Sequence, residues 1–259
     1  MSSQMENVPT GDVEGDIHAV LQRMRELLVP LEAAGDPKRH FLATYSRTTA
    51  AVAAAIRERR FEDARWVDRW DVAFAELYVD ALEAYRADPA SAARPWRVAF
   101  GADPDLPPLI HVLLGINAHV NYDLPQALLD VITPADFEQP DVVECRRRDH
   151  QRIDEVLASR VNDEDAELQA ISGARTLTDR LLQPFNRAAS RRFLREARRK
   201  VWHNTVELNT ARVAGDGAYR DRLRELDVLT AARVADLLAP GNVLIKLGIG
   251  GFGVLLPPL

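Results

Sequence analysis

Apolar side chains recur at helical spacing along most of the chain. Ile17, Val20, Leu21, Met24, Leu27, Leu28 and Leu31 mark a first amphipathic helix, with a break expected near Pro30 and Gly35. Asp36-Pro37 opens a second, which continues through an alanine-rich stretch to Arg60. A third runs from Phe61 to Tyr85 and carries Trp66, Trp70, Phe74, Leu77, Ala81 and Leu82 on one side. Ala87 to Pro108, rich in Pro, Ala and Asp and holding Pro95-Trp96, reads as loop. A helix from about Leu109 to Val131 follows, which Pro125 is expected to kink or end early. After a turn at Pro134 come a helix from Pro140 to about Ser159 and an acidic link, Asn162 to Glu167. Two more helices cover Leu177 to Arg212, with room for a break at Pro184, and Tyr219 to Leu238. Period-2 runs of strand length are missing and most connections are short. The expected fold is all-α, a single-domain multi-helix bundle with a buried central helix. Its expected divisions are a flexible N-terminus over 1–13, a helical domain over 14–240 and an apolar tail over 241–259 that packs on the body or on a partner.

The central helix stands out because it has no polar face. In LIHVLLGINAHVNYDLPQAL, from Leu109 to Leu128, apolar residues cover the whole circumference. A helix of this kind is normally buried. At roughly 100° per residue, His111, Gly115, His119, Tyr122 and Asp123 share an arc of roughly 120° that lies before Pro125. Buried histidine and aspartate must be paired, so the arc is either a satisfied structural network or a site. Gly115, between the histidines, lets a ligand or another helix come close. Asn117 and Asn121 point the other way and are expected to bond a neighbouring helix backbone.

Composition narrows the picture. Of 259 residues, 47% are hydrophobic and 28% charged, enough apolar content for a sizeable core. The net charge of -6 gives no global field for nucleic acid or an anionic membrane. The basic run Arg191 to Lys200 reads as a solvated face with apolar backing, the alternative being a phosphate or partner patch. Cys145 is the lone cysteine, which excludes a disulfide framework and favours a reducing, cytoplasmic compartment. The polar, acidic start does not resemble a signal peptide. Val243 to Leu256 is apolar but short and interrupted by Lys246, so no membrane insertion is expected, while an oligomer could form through this tail.

Three histidines have a carboxylate four residues on: His119 with Asp123, His150 with Asp154, and His203 with Glu207. Such pairs point in one direction on a helix. Drawn from several helices they could assemble an N/O metal site inside a bundle, and zinc suits imidazole with carboxylate. His111 and His119 are roughly 12 Å apart along a straight helix, which makes His119 and Asp123 the compact pair. The plain alternative for each pair is a salt bridge on a helix face. No P-loop, dinucleotide fingerprint, nucleophile elbow, H-E-x-x-H or aspartate-rich cyclase motif is present.

At GINAHVNYDL the chain resembles the bacterial DUF5995 family, whose signature is an H-x-L-x-G-x-N-A-H-x-x-x-D-L-like core. His111, Leu113, Gly115, Asn117, Ala118, His119, Asp123 and Leu124 carry the match. Supporting similarity lies in Trp70 to Leu82 and around Trp202, and the likeness runs from about residue 38 to 235. The family's function is unassigned, so the resemblance implies a helical fold and marks the motif without supplying a reaction. A fainter likeness is to the zinc-dependent phospholipase C and P1-nuclease enzymes, but their N-terminal Trp ligand is missing and their ligand set cannot be matched in order.

The leading expectation is an enzyme centred on His111, His119 and Asp123. In one form it is a zinc-dependent hydrolase of a small ester or phosphoester, with His150, Asp154, His203 or Glu207 completing the shell or serving as acid or base. In the other it is a metal-free lyase, isomerase or cyclase acting on a small apolar metabolite, with Asp123 holding His119 as general base. A non-catalytic binding or scaffold protein is the third reading.

Overall fold

The computed structural model describes residues 15–153, 155, 156, 177–241, 251 and 253–258, with 177–195 as backbone only. The expected flexible stretch over 1–13, Asp154, the acidic link from Asn162 to Glu167 and most of the apolar tail lie outside the described residues, as do the side chains of the first half of the basic run.

Helix α1 (Gly15–Ala33) buries Ile17, Val20, Leu21, Met24 and Leu31 and runs through Pro30. Pro30 stands one turn from the end and withholds its N–H from the Glu26 carbonyl without ending the helix there. The turn is made instead by Gly35 at φ 65°, where the Asp36 N–H reaches back to the Leu31 carbonyl at 2.9 Å. Helix α2 (Lys38–Arg57) follows at once, then α3 (Ala64–Ala87), whose first turn is capped by Asp63 accepting the Trp66 N–H at 3.0 Å. These three helices pack on one another and carry the larger share of the core.

The segment expected as loop contains a helix, α4 (Arg94–Phe100), which buries Trp96, Ala99 and Phe100. At two turns it is too short to show a period, and Pro95 is tolerated because the first turn needs no N–H there. Asp227 receives the Arg94 N–H at 3.0 Å and its guanidinium at 2.8 Å, which ties α4 to the last helix.

Pro125 does not end the central helix. Instead α5 (Pro108–Ala118) passes through a π turn (His119–Asp123) into α6 (Leu124–Val131). Proline has no N–H for the Asn121 carbonyl, and its ring needs room beside it. One wider turn supplies that room: the Leu124 N–H bonds the His119 carbonyl, one residue farther back than in an α-helix. Gln126 Nε2 then serves the Tyr122 carbonyl at 2.8 Å.

A short α7 (Pro134–Phe137) with a Thr133/Asp136 capping box leads to α8, helical over 140–153. Helix α9 (Leu177–Ala214) continues through Pro184 without a break, and α10 (Asp216–Leu238) closes the bundle. Among the described residues there is no strand, and no helix is long and apolar enough to cross a membrane. The fold is all-α.

The central rod packs against α2, α3, α4, α9 and α10. Leu114, Asn117, Ala118, Asn121, Ala127 and Leu128 along it are fully buried, while Leu109 at its start is exposed. Asn117 and Asn121 donate to the carbonyls one turn back in their own helix, both at 2.9 Å. Asn121 also accepts the Val254 N–H at 3.1 Å. Residues 253–258 lie along α9, where Asn204 bonds both the Val254 carbonyl and the Leu256 N–H. Leu256 enters a second small core with Leu129, Leu208 and Leu226.

Candidate active site

The π turn sets His119 and Asp123 facing one another in the interior. His119 Nδ1 lies 2.8 Å from Asp123 Oδ2, and both residues are 2% exposed. The same Oδ2 accepts the Trp96 indole N–H at 2.9 Å, so α4 supplies a third member of the cluster. His119 Nε2, on the far side of the ring, is buried and has no hydrogen-bond partner among the described residues.

Around the imidazole stand aromatic rings from three helices. Phe74 of α3 stacks face to face, with centroids 3.6 Å apart and planes within 5°. Tyr45 of α2 meets it edge-on at 4.5 Å. Phe41, Tyr78 and Trp96 each stand 5.9 Å away. Phe41 with Tyr45, and Phe74 with Tyr78, are themselves four residues apart, so each helix offers two rings to one point.

Burial shapes the chemistry of the pair. It drives the His119 imidazole well below its ordinary range and pushes the Asp123 carboxyl well above its own, the Trp96 hydrogen bond working against the second shift. Both shifts oppose isolated charge, so the two groups titrate as a unit. With one proton fewer the Asp123 carboxylate holds Nδ1–H, and Nε2 is a lone pair. With one proton more, Nε2 carries hydrogen and the pair is neutral overall. The arrangement can therefore present a base or an acid at a single atom in an apolar box.

His111 is not part of this box. It stacks at 6.2 Å on His40 and bonds the Pro104 backbone, and its Nε2 has no partner among the described residues. Burial and the nearby Lys38 and Arg39 hold it below its ordinary range. It lines a narrow cleft with Lys38, Phe41, Phe100 and Gly115, so Phe41 alone is shared between the cleft and the ring cage. Gly115 admits the Phe41 ring: a Cβ there would stand 2.3 Å from it. Tyr122 leaves the arc and packs on the second core.

The other two pairs lie apart. His150 is buried between Trp70 and Trp202 at 5.4 and 5.7 Å, and its partner Asp154 lies outside the described residues. His203 Nε2 meets the Leu256 carbonyl at 3.0 Å, and Glu207 accepts from Arg222 at 2.9 Å. Among the described residues, no three His, Cys, Asp or Glu side chains gather as a metal ion would need. Trp96 and the aromatic cage escaped the sequence reading. The visible signal for them was the pair of aromatic i,i+4 spacings, and for Trp96 the Arg-Pro-Trp start of a short helix.

A model of a family of unknown function, DUF5995, matches residues 17–240. The chain belongs to DUF5995. No curated protein and no solved structure matches it. The region matched contains the whole of this cluster, so the His119–Asp123–Trp96 arrangement and its cage lie within the DUF5995 unit rather than in an appendage.

Proposed function

We propose that this DUF5995 protein is an acid/base enzyme, a lyase, isomerase or cyclase, acting on a small, largely apolar molecule. The observation that carries the reading is His119: Nδ1 is fixed by Asp123, and Nε2 is buried in an aromatic cage without a partner. A purely structural network satisfies its members, since an unpaired buried polar atom costs about 1–3 kcal/mol. Here the two donors converge on Asp123 and the opposite ring nitrogen is left for a substrate proton. Aromatic faces would bind an apolar body and favour positive charge developing on it. His119 Nε2 takes the proton, Asp123 balances the imidazolium, and Trp96 holds the carboxylate in place. Phe41 borders both the cage and the narrow cleft beside His111, so it is the ring whose movement would open the cage. A π turn at this point fits the same reading, since such turns are frequent at functional sites.

The test is a screen of small terpenoid and aromatic alcohols, olefins and ketones for conversion by the purified protein, with elemental analysis of the same sample. The expected result is turnover by metal-free protein that His119→Ala abolishes while the helical circular dichroism is kept. Activity that tracks a bound ion, or turnover that survives His119→Ala, would overturn the assignment.

A further inference from the structure

Residues 253–258 lie along α9, and side chains from α9, α10 and the π turn hold their backbone. Lys200 donates to the Gly253 carbonyl at 3.0 Å, Asn204 to the Val254 carbonyl at 3.1 Å, and Arg222 to the Pro257 carbonyl. His203 Nε2 meets the Leu256 carbonyl at 3.0 Å. In the other direction the Leu256 N–H donates to Asn204 at 2.9 Å and the Val254 N–H to Asn121 at 3.1 Å. The bond to Asn121 differs from the rest because Asn121 belongs to the π turn, between His119 and Asp123. We infer that residues 253–256 are a positioning segment for the His119–Asp123 pair and act on it through Asn121.

The hydrogen-bond ladder of the central helix has a gap at this point. Pro125 offers no N–H to the Asn121 carbonyl, so side chains share in setting the course of the turn. Asn121 Nδ2 donates to the Asn117 carbonyl at 2.9 Å, and its Oδ1 takes the Val254 N–H. One end of the amide thus holds the start of the turn, and the tail holds the other end. Asn121 is fully buried, so a bond withdrawn from it is not replaced by bulk water. Tyr122, the next residue of the turn, and Val254 both pack on the second core, which Leu256 helps to form. Consecutive residues of the turn are therefore tied to the tail, one by a hydrogen bond and one through shared apolar packing. His119 and Asp123 flank them, and their 2.8 Å separation depends on the pitch of the same turn. The tail is closely fitted as well: a Cβ on Gly253 would stand 2.7 Å from Lys200 Cδ. The family match ends at residue 240, so Asn121, His203 and Asn204 lie within the DUF5995 unit and the segment they hold lies beyond it.

The test compares full-length wild type with Val254→Pro, which removes the N–H offered to Asn121, and with Val254→Ala, which keeps it. Nuclear magnetic resonance supplies two readouts. One is exchange of the Leu124 amide, whose bond to the His119 carbonyl closes the π turn, and the other is the His119 Nδ1–H resonance. In Val254→Pro the Leu124 amide should exchange about tenfold faster, in keeping with one lost buried hydrogen bond. The Nδ1–H resonance should move upfield as the bond to Asp123 loosens. Amides of α2 and α3 should quicken less than Leu124, and Val254→Ala should leave both readouts close to wild type. Gly253→Ala, which disturbs the segment without a proline, should act in the same direction and decides the matter if Val254→Pro fails to fold. For turnover alone the inference rests on the acid/base reading of the pair, and there Val254→Pro should lower kcat more than it changes KM. A wild type without turnover would remove that reading, while the two resonance readouts would still decide this one. Unchanged Leu124 exchange and Nδ1–H resonance in the folded variants, equal changes in Val254→Ala, or quickening spread evenly through α2 and α3 would each overturn the inference.

Discussion

Asp123 Oδ2 faces two nitrogen donors, and they influence the catalytic pair differently. The bond to His119 sets the ring's tautomer, whereas the bond from Trp96 favours the carboxylate over the acid. Removing the indole N–H in Trp96→Phe should let the pair keep its proton to higher pH. The base-dependent limb of turnover should then move up by about one pH unit, and stability should fall by about 1 kcal/mol. Nitrogen-15 spectra of labelled histidine, followed against pH, would show the displacement directly, and an unmoved titration would remove Trp96 from the mechanism. Asp123→Asn separates function from structure more sharply. The amide keeps the size and one acceptor but removes the charge that balances an imidazolium. Turnover should fall at least about 10²-fold with only a modest loss of melting temperature. A structural ion pair would behave in the opposite way, losing about 3 kcal/mol or more of stability from a stranded partner.

Among the elements, the central rod was legible because Leu109 to Leu128 has no polar face, and the observed burial of Leu114, Ala118 and Leu128 follows from that pattern. Its internal register was not. Periodicity places side chains on a cylinder of fixed pitch, and the π turn changes the pitch where Pro125 withholds an N–H. That change accompanies the separation of Tyr122 from His119 and Asp123. The cage was illegible for another reason: which helices meet around His119 depends on tertiary packing, and α4 is too short to announce itself. His119 and Asp123 could be read as a pair from spacing alone, whereas Trp96 required the fold. Gly115 shows how tightly these elements are fitted. Adding one Cβ brings a carbon within 2.3 Å of the Phe41 ring, which is held between α2 and α5. Gly115→Ala should cost about 1–3 kcal/mol in thermal unfolding, because the ring must move. Moving it should also open the cage, so carbethoxylation of His119 by diethyl pyrocarbonate, read by mass spectrometry, should quicken several-fold. Unchanged reactivity would mean that Phe41 does not guard the imidazole.

At the scale of the whole molecule, two acids inside α3 should govern how stability varies with pH. Asp71 is 8% exposed and burial, with Asp68 nearby, pushes it up to about 8. Asp68, 3% exposed, is pushed up to about 6 by burial and Asp16 against the pull of Arg69 and His18. In the unfolded chain both carboxyls ionise near their ordinary value of 3.8. A group whose folded value is raised contributes stability while it is protonated in both states. That contribution declines once the unfolded chain begins to release its proton, and the loss is complete when pH passes the folded value. For Asp71 the window runs from about pH 4 to about pH 8, at about 1.4 kcal/mol for each unit of pH across it. Asp71→Asn removes the ionisation and keeps the shape. The variant should therefore melt close to the wild type at pH 4. It should exceed the wild type by a few kcal/mol, or about 5 °C or more, at pH 8. Asp68→Asn should show the same divergence in a lower window, finished by about pH 6. Parallel melting curves of wild type and Asp71→Asn across pH 4–8 would show that Asp71 does not titrate within the fold. A variant less stable than the wild type at pH 8 would reveal a carboxylate that the fold needs charged.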